Sequence, residues 1–262
     1  MTDTASPTVR LEVRDSIAHL TLTRPEAANT MNLQFGREFL AATAAIRLNR
    51  SIRAVILRGA GKNFSFGGDL KGMVAAGGDL SAHLVDLTTN LHAGMTHLAR
   101  MDAPVIAAVQ GTAAGAGFGL VLAADLAVAG KSSKFVPAYT AVGLTPDAGC
   151  TFLLPRAVGY KRALEMFLTN RALGAEEALA WGLVNQVVDD DRVDDTAASL
   201  AQRLADGAIG AFGTVKRLLG ESEAGWEAQL ARESRSIAAR GETEEGREGI
   251  GAFLDKRAPK FR

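Results

Sequence analysis

The 262-residue sequence has one cysteine, Cys150, and no excess of either charge, because 29 Lys and Arg residues balance 29 Asp and Glu residues. A single cysteine excludes an intramolecular disulfide and argues against an oxidising compartment. Balanced charge leaves no overall field to attract nucleic acid or an anionic membrane. No apolar run reaches the ~18 residues of a membrane span, and residues 1–10 lack the apolar core of a signal peptide. We therefore expect a soluble, cytoplasmic protein with no nucleic-acid or membrane partner.

Common nucleotide, metal and nucleophile motifs are also incomplete. Leu120 stands where a dinucleotide fingerprint beginning at Gly115 needs its third glycine, and no acidic residue follows near the ribose distance. Residues 59–62 lack the first glycine and the Ser or Thr of a P-loop. The four histidines show no zinc-ligand spacing, and Cys150 has no neighbouring histidine. We therefore expect no nucleotide or zinc site and interpret Cys150 as a small buried thiol.

The first half of the chain alternates between strand and helix patterns. With 47% hydrophobic and 22% charged residues, the composition is globular, and the length favours one large domain with a small appendage. Alternating apolar residues predict a β-hairpin over 9–22, followed by a helix over 35–46. Continuous apolar runs predict buried strands at 54–57 and 104–109, separated by a helix at 84–98. This alternation predicts an α/β core with parallel strands.

The second half becomes helical. An apolar helix is predicted at 120–124 and a short strand at 126–128. Strand signals stop after Val188, and helices are predicted at 193–204, 212–219, 226–237 and 244–256. Since an isolated helix cannot bury a face alone, the apolar residues of the last two helices are predicted to pack on the core or on another subunit. These residues are Trp226, Leu230, Phe253 and Leu254.

Two glycine-rich turns each follow a predicted buried strand. One lies in residues 63–70 around Gly67 and Gly68, and the other lies in residues 110–117 around Gly115. Small residues let a backbone approach a ligand closely, and a helix beginning after the second turn would point free N–H groups at it. Two such donors can hold an oxyanion. Spacing alone nevertheless favours the simpler explanation, in which the glycines serve tight turns and close packing.

Several segments, in their order along the chain, resemble the crotonase, or enoyl-CoA hydratase/isomerase, superfamily. They lie at 24–29, 64–70, 110–125, 143–149, 154–156, 180–184 and 246–257. The resemblance covers nearly the whole chain and implies an α/β fold. It implies a ββα spiral core over residues 1–200, a C-terminal helical trimerisation segment over residues 201–262, and assembly as a homotrimer or as a hexamer made of two trimers.

The resemblance implies that two backbone N–H groups hold the oxygen of an acyl-CoA thioester. The matching positions are Gly68 and Ala116. Fixed donors stabilise the charge that develops when the thioester becomes an enolate, and removing one such donor typically costs about 3 kcal/mol of transition-state stabilisation. Coenzyme A is then part of the substrate, and no metal or redox cofactor is implied.

The two glutamates with which hydratases of the family add water have no counterpart here. The matching positions are Gly119 and Tyr139, and neither can supply a carboxylate. Asp147 matches the acid/base aspartate of isomerases in the family, notably those that resemble ring-1,2-epoxyphenylacetyl-CoA isomerase. One carboxylate suits a double-bond shift, because it can take a proton from one carbon and return it to another. The alternative is that Asp147 only shapes a Pro-Asp turn.

Further roles come from the resemblance. Coenzyme A is expected to contact the backbone near Ala27, Ala28 and Phe66, the side chain of Lys71, and Phe253 and Lys256 of a neighbouring subunit.

Side chains near the expected acyl site are less specific. Tyr139 is expected to line the acyl pocket or to donate a hydrogen bond. Asp69 is expected to order its loop. His92 and His97 lie on a helix expected to cover the pocket, but solvated or core histidines are the commoner case.

The leading hypothesis is an acyl-CoA isomerase that shifts a double bond or opens a ring epoxide through an enolate. An enoyl-CoA hydratase is the first alternative. The missing glutamates also leave room for a non-catalytic acyl-CoA binder. A dinucleotide-dependent oxidoreductase rests only on the glycine run that ends at Gly119, and Leu120 argues against it.

Overall fold

Two β-sheets lie within residues 6–220 and 225–261, the part of the chain that the computed structural model describes. Their strands are β1 (Val9–Arg14), β2 (Ile17–Leu22), β3 (Ala54–Gly59), β4 (Val105–Val109), β5 (Thr112–Ala114), β6 (Leu126–Gly130), β7 (Lys134–Val136), β8 (Leu173–Gly174) and β9 (Gln186–Val188). The larger sheet has six strands in the order β1-β2-β3-β4-β6-β9, and the smaller sheet has three in the order β5-β7-β8. β1 and β2 form the predicted hairpin, and the later pairs of the larger sheet are parallel. The predicted α/β core with parallel strands is confirmed.

The helices lie between the strands and after the last one. Their bounds are α1 (Leu33–Leu48), α2 (Leu70–Ala76), α3 (Leu80–Arg100), α4 (Ala116–Ala123), α5 (Cys150–Val158), α6 (Tyr160–Thr169), α7 (Ala175–Ala180), α8 (Val193–Ala205), α9 (Ile209–Gly220), α10 (Trp226–Gly241) and α11 (Glu244–Leu254). The chain after β9 continues through α8 to α11, as predicted. The helix predicted at 120–124 begins earlier, at Ala116, because the chain enters its first turn directly from Gly115.

Both faces of the larger sheet are covered at β3 and β4, which explains why these two strands carry continuous apolar runs. On β3, Val55 and Leu57 belong to the main core, while Ala54 and Ile56 pack against α8 on the other face. Parallel strands buried on both faces have this continuous apolar pattern. The predicted boundary between residues 200 and 201 falls inside α8, and the division into two segments stays a prediction.

The apolar residues predicted to pack along α10 and α11 are exposed in the single chain. Trp226 is 72% exposed, Phe253 81% and Leu254 71%, so packing onto the core of their own subunit, one of the two predicted alternatives, is wrong for them. Leu230 is less exposed, at 44%. Packing on another subunit stays a prediction. In the described ranges, no helix has both the length and the apolar character needed to cross a bilayer.

Lys216 joins α9 to the core that carries the candidate site. Its ammonium group lies 2.7 Å from Asp125 Oδ2 and donates to the carbonyl oxygens of Leu98 and Ala103 at 3.2 Å. Burial raises the pKa of Asp125, and Lys216 opposes that rise. Lys216 therefore satisfies one carboxylate and two carbonyl groups where α3, β4 and α9 meet.

We predict that Lys216→Met lowers the free energy of unfolding by about 3 kcal/mol, because it leaves the Asp125 carboxylate without its partner. The matched control is Arg217→Met on the same helix, which removes an exposed pair with Asp102 and should cost about 1 kcal/mol or less. Urea unfolding of both variants measures the difference. Equal losses would show that Lys216 is an ordinary surface cation.

Candidate active site

The first glycine turn follows β3 and is fixed by backbone hydrogen bonds on both sides. Met31 N donates to Gly67 O at 2.8 Å, and Asp69 N donates to Met31 O at 2.9 Å. Gly67 N donates to the Ser65 hydroxyl oxygen at 3.1 Å. Within residues 6–220 and 225–261, Gly68 N has no hydrogen-bond acceptor. The turn therefore holds one unused donor in a fixed position.

The second glycine turn leads directly into α4. Gly115 N donates to Val136 O at 3.0 Å, and Ala116 is the first residue of the helix. The first N–H groups of a helix have no partner inside it, and no acceptor for Ala116 N occurs in the described chain. A methyl group built on Gly67, where φ is 79°, would lie 2.8 Å from the Ala116 nitrogen. Only glycine at position 67 permits this approach of the two turns.

Two free N–H groups in adjacent turns can hold a developing negative charge. The partial positive charge at the start of α4 acts in the same direction. The packing explanation for the glycines is correct at Gly67, but it does not explain the donors, because a buried residue such as Ala116 rarely keeps an unpaired backbone N–H. The backbone donors of Gly68 and Ala116 thus have no acceptor among the described residues and can bind an oxyanion.

Asn29 ties together the loops behind the first turn. Its side-chain amide donates to the carbonyl oxygens of Ala60, Asn63 and Phe64. Ser65 Oγ in turn donates to Asn29 O at 2.8 Å. Asn29 is buried, and the sequence analysis assigned it no role, although it lies in a segment that carries the family resemblance.

Asp69 makes contacts that order its loop. Asp69 Oδ1 accepts from Gly72 N at 2.9 Å and caps α2, and Asp69 Oδ2 lies 3.1 Å from Arg24 Nη2. Arg24 also donates to Thr30 O at 2.8 Å. These contacts link the loop around residues 24–30 to the residue that follows Gly68, and they agree with the structural role expected of Asp69.

Asp147 and Tyr139 meet between β7 and α5. Tyr139 Oη donates to Asp147 Oδ1 at 2.6 Å and lies 3.9 Å from Cys150 Sγ. Burial raises the pKa of the Tyr139 phenol far above its ordinary value, and the neighbouring Cys150 and Asp147 add to the rise. The phenol therefore keeps its proton and acts as a donor. Of the two roles expected for Tyr139, hydrogen-bond donation is the one observed.

The backbone of Asp147 also shapes a turn, since Cys150 N donates to Asp147 O at 2.9 Å. Its carboxylate, however, contacts Tyr139 rather than the turn. The turn explanation for Asp147 accounts for its main chain only. The side chain is 28% exposed and free to meet a bound molecule on its open side.

His92 on α3 reaches the same turn. Ala148 N donates to His92 Nε2 at 3.1 Å, and this nitrogen lies 3.7 Å from Asp147 Oδ2. Because Nε2 accepts a hydrogen bond, the neutral ring carries its proton on Nδ1, and the 3.7 Å separation is not a hydrogen bond. This contact could not be predicted from the sequence, since 56 positions separate the two bonded residues and no local pattern links them. His97 instead contacts Thr43 at 3.3 Å.

Gly119 is packed against the turn that carries Asp147. A methyl group at Gly119 would lie 2.5 Å from Ala148 Cβ and 2.8 Å from Ala148 O. Gly119 also lies one helical turn after Ala116, about 4.5 Å along the axis of α4. The Asp147 turn therefore occupies the space of any side chain at position 119 and lies beside the helix that begins with Ala116.

Four of the residues expected to bind coenzyme A lie around the first glycine turn, namely Ala27, Ala28, Phe66 and Lys71. Phe66 N donates to Ala28 O at 3.0 Å, so Phe66 lies beside the turn that contains Ala27 and Ala28. Phe66 is 46% exposed, and Lys71 is exposed at the start of α2. These residues surround the outer side of the first glycine turn.

Phe253 and Lys256 lie elsewhere, at the end of α11 and just after it, and both are exposed. Their expected contact with coenzyme A of a neighbouring subunit stays a prediction. Among the residues described, no group of three or more His, Cys, Asp or Glu side chains could hold a metal ion.

Cys150 is fully buried beside Gly119 and Tyr139, as its interpretation as a small buried thiol predicted. Burial raises the pKa of its thiol from 9.0 to about 12. Above pH 9 the unfolded chain loses this proton while the folded chain keeps it. Because the folded state then binds more protons, the stability of the fold decreases as the pH rises from 9 to 12.

We predict that the free energy of unfolding falls with pH in this window, with Cys150 contributing up to about 1.4 kcal/mol per pH unit. Cys150→Ala removes that contribution, so the free energy of unfolding should decline less steeply with pH. The decline due to Tyr139, whose pKa is also raised in the fold, is present in both proteins. Urea unfolding between pH 8 and pH 11 compares the two slopes. Identical slopes would show that the thiol does not keep its proton in the fold.

Comparison with known proteins agrees with this geometry. A family model described as enoyl-CoA hydratase/isomerase matches residues 12–262. A Rhodobacter capsulatus protein named "Probable enoyl-CoA hydratase" is 40% identical over 97% of both chains, and the 1,2-epoxyphenylacetyl-CoA isomerase of Escherichia coli is 37% identical over 95% of this chain and 96% of its own. The crystal structure of an enoyl-CoA hydratase from Polaromonas sp. JS666 matches with a TM-score of 0.92 at 32% identity, covering 97% of this chain and 99% of that one. The chain has the predicted crotonase fold and belongs to the enoyl-CoA hydratase/isomerase family.

Proposed function

We propose that this protein isomerises an unsaturated or ring-epoxidised acyl-CoA through an enolate. In this proposal Gly68 N and Ala116 N hold the thioester oxygen, and Asp147 is the acid and base. The observation that carries it is the packing at Gly119, where Ala148 fills the space of a further side chain, so that the carboxylate next to this position is that of Asp147. The family membership supports an acyl-CoA substrate, and the relative from Escherichia coli is itself named an isomerase.

One carboxylate is enough for a double-bond shift. With a 3-enoyl-CoA, the Asp147 carboxylate removes a proton from C2, and the electrons move to the thioester oxygen to form a dienolate. The protonated Asp147 then returns the proton to C4, which gives the 2-enoyl-CoA and restores the carboxylate. The two N–H donors stabilise the charged dienolate oxygen more than the neutral thioester oxygen. They therefore lower the barrier to removing the C2 proton.

Hydration of a 2-enoyl-CoA is the second candidate, because a relative with 40% identity carries the name of a probable hydratase. Adding water needs a base for the water and an acid for C2. Gly119 has no side chain, and Tyr139 is a buried phenol that donates to Asp147. Asp147 would have to fill both roles in turn, which makes hydration the weaker proposal.

Acyl-CoA binding without turnover is a third proposal, and it differs from the first in one respect. It requires the oxyanion donors but no proton transfer by Asp147. An oxidoreductase would require dinucleotide binding, which rests on the glycine run from Gly115 to Gly119, and Leu120 is the misfit in that run.

We further propose that the protein works in the cytoplasm as a homotrimer or as a hexamer of two trimers, without a metal or redox cofactor. Exposed apolar side chains on α10 and α11 support an interface between copies of the chain. In such an assembly Phe253 and Lys256 would meet the coenzyme A that lies near Ala28, Phe66 and Lys71 of the next subunit.

The test of the proposed function is Asp147→Asn. We expect the variant to lose at least ~10²-fold in the conversion of 3-hexenoyl-CoA to 2-hexenoyl-CoA or of ring-1,2-epoxyphenylacetyl-CoA to its isomer, because the amide of asparagine cannot carry the proton. Binding of hexanoyl-CoA, measured by calorimetry, should not change. Asp189→Asn, which alters an exposed carboxylate paired with Lys131, is the matched control.

Products are identified by mass spectrometry and NMR. Unchanged turnover by Asp147→Asn would remove Asp147 from the mechanism. Formation of 3-hydroxyhexanoyl-CoA from 2-hexenoyl-CoA as the main reaction of the wild type would favour hydration instead. Binding of acyl-CoA with no reaction of any of these substrates would favour the non-catalytic proposal.

A second prediction concerns Gly119→Glu, which restores a glutamate where hydratases of the family have one. We expect no gain in hydration, because the new side chain would displace Ala148 and the turn that holds Asp147. The melting temperature should fall, and isomerisation should fall with it. Gly119→Ala serves as the control for crowding alone, and a stable Gly119→Glu enzyme with hydratase activity would contradict this account.

A further inference from the structure

The two oxygens of the Asp147 carboxylate have different surroundings. Oδ1 accepts a 2.6 Å hydrogen bond from Tyr139 Oη. Oδ2 has His92 Nε2 as its neighbour at 3.7 Å, and that nitrogen already accepts the N–H of Ala148. Two acceptors do not bond to one another, so Oδ2 receives no donor from His92. The carboxylate therefore has one anchored oxygen and one open oxygen.

We propose that Tyr139 is a positioning residue that anchors Oδ1 of Asp147 and leaves Oδ2 to carry the proton. This inference rests on the proposed function and deepens it, because it assigns the proton transfer to one oxygen. It also gives a role to the position at which hydratases of the family have a glutamate. Tyr139 does not exchange a proton itself.

Tyr139 is well placed for this role, because its own position is fixed. Its carbonyl oxygen accepts from Val142 N and Leu144 N, both at 3.1 Å, and the residue is 9% exposed. It follows closely after β7, which pairs with β5 and β8 in the smaller sheet. A hydroxyl on a ring held in this way can fix the rotation of a neighbouring carboxylate.

The charge state of the phenol fits the same role. Burial raises the pKa of Tyr139, so the phenol remains a neutral donor throughout the range in which the enzyme would work. The titratable groups that face it are Asp147 and Cys150, and burial also raises the pKa of the Cys150 thiol. The phenol therefore stays the donor in its hydrogen bond to Oδ1.

His92 supports the arrangement from the backbone side. By accepting the Ala148 N–H, it fixes the peptide group that follows Asp147. Tyr139 thus holds the side chain of Asp147 and His92 holds its main chain. A misplaced carboxylate is expensive in rate, because a shift of about 1 Å in a reacting group can cost ~10²-fold.

The experiment measures exchange of the C2 protons of hexanoyl-CoA in D2O by mass spectrometry, which reports proton removal without requiring an isomerisable substrate. We expect Tyr139→Phe to lower kcat for exchange by about 10 to 100-fold while KM changes less than about threefold. Tyr160→Phe is the matched control, since Tyr160 is the only other tyrosine and is 68% exposed. It should exchange like the wild type.

The outcomes separate this inference from the proposed function. Failure of the wild type both to exchange these protons and to isomerise 3-hexenoyl-CoA would refute the proposed function, and this inference with it. Exchange at equal rates by the wild type and Tyr139→Phe would overturn the inference alone. A raised KM with unchanged kcat would also overturn it, because Tyr139 would then be a wall of the binding site.

A substrate-free measurement covers the case in which Tyr139→Phe does not fold. In Tyr160→Phe protein labelled with 13Cζ-tyrosine, the single NMR signal belongs to Tyr139. This signal should move when Asp147→Asn is added and stay in place when Asp189→Asn is added. Equal responses to the two changes would show that Tyr139 does not donate to Asp147, and the inference would fail.

Discussion

The close approach of the Gly67 turn to the first residue of α4 is the constraint on which the site depends. It requires a residue without a side chain at position 67, and it brings two backbone N–H groups together with no acceptor among the described residues. A buried donor without an acceptor, such as that of Ala116, costs stability unless something else binds it. Asn29, Ser65 and Met31 hold the first turn in place, which fixes the position of the Gly68 donor.

The second constraint is the choice between two carboxylate positions beside α4. Ala148 packs on Gly119 so closely that the turn bearing Asp147 and a side chain at position 119 exclude each other. A chain with this turn has one carboxylate where a hydratase needs two, and Tyr139 stands at the other position as a donor to Asp147. Local packing would thereby limit the chemistry of the proposed oxyanion site, which is one way for a family fold to accommodate more than one reaction.

Much of this could be predicted from the sequence because the signals are local. The β1–β2 hairpin, the apolar strands β3 and β4, and the helices after β9 follow from periodicity, and the glycine turns with Asp147 follow from ordered motifs. The contact of His92 with Ala148 could not be predicted, since a partly exposed histidine on α3 carries no sign of a partner far along the chain. The packing of Ala148 against Gly119 is likewise visible only when α4 and the turn are seen together.

The proposed chemistry depends on Gly68 N and Ala116 N, which would hold the oxygen of an acyl-CoA thioester. The most direct measurement is 13C NMR of hexanoyl-CoA labelled at C1, free and bound to the Asp147→Asn variant, which lacks the proposed base. Two hydrogen bonds should polarise the carbonyl, so the account predicts a downfield shift of the labelled carbon on binding. A bound ligand whose carbonyl signal stays at its position in water would contradict the account.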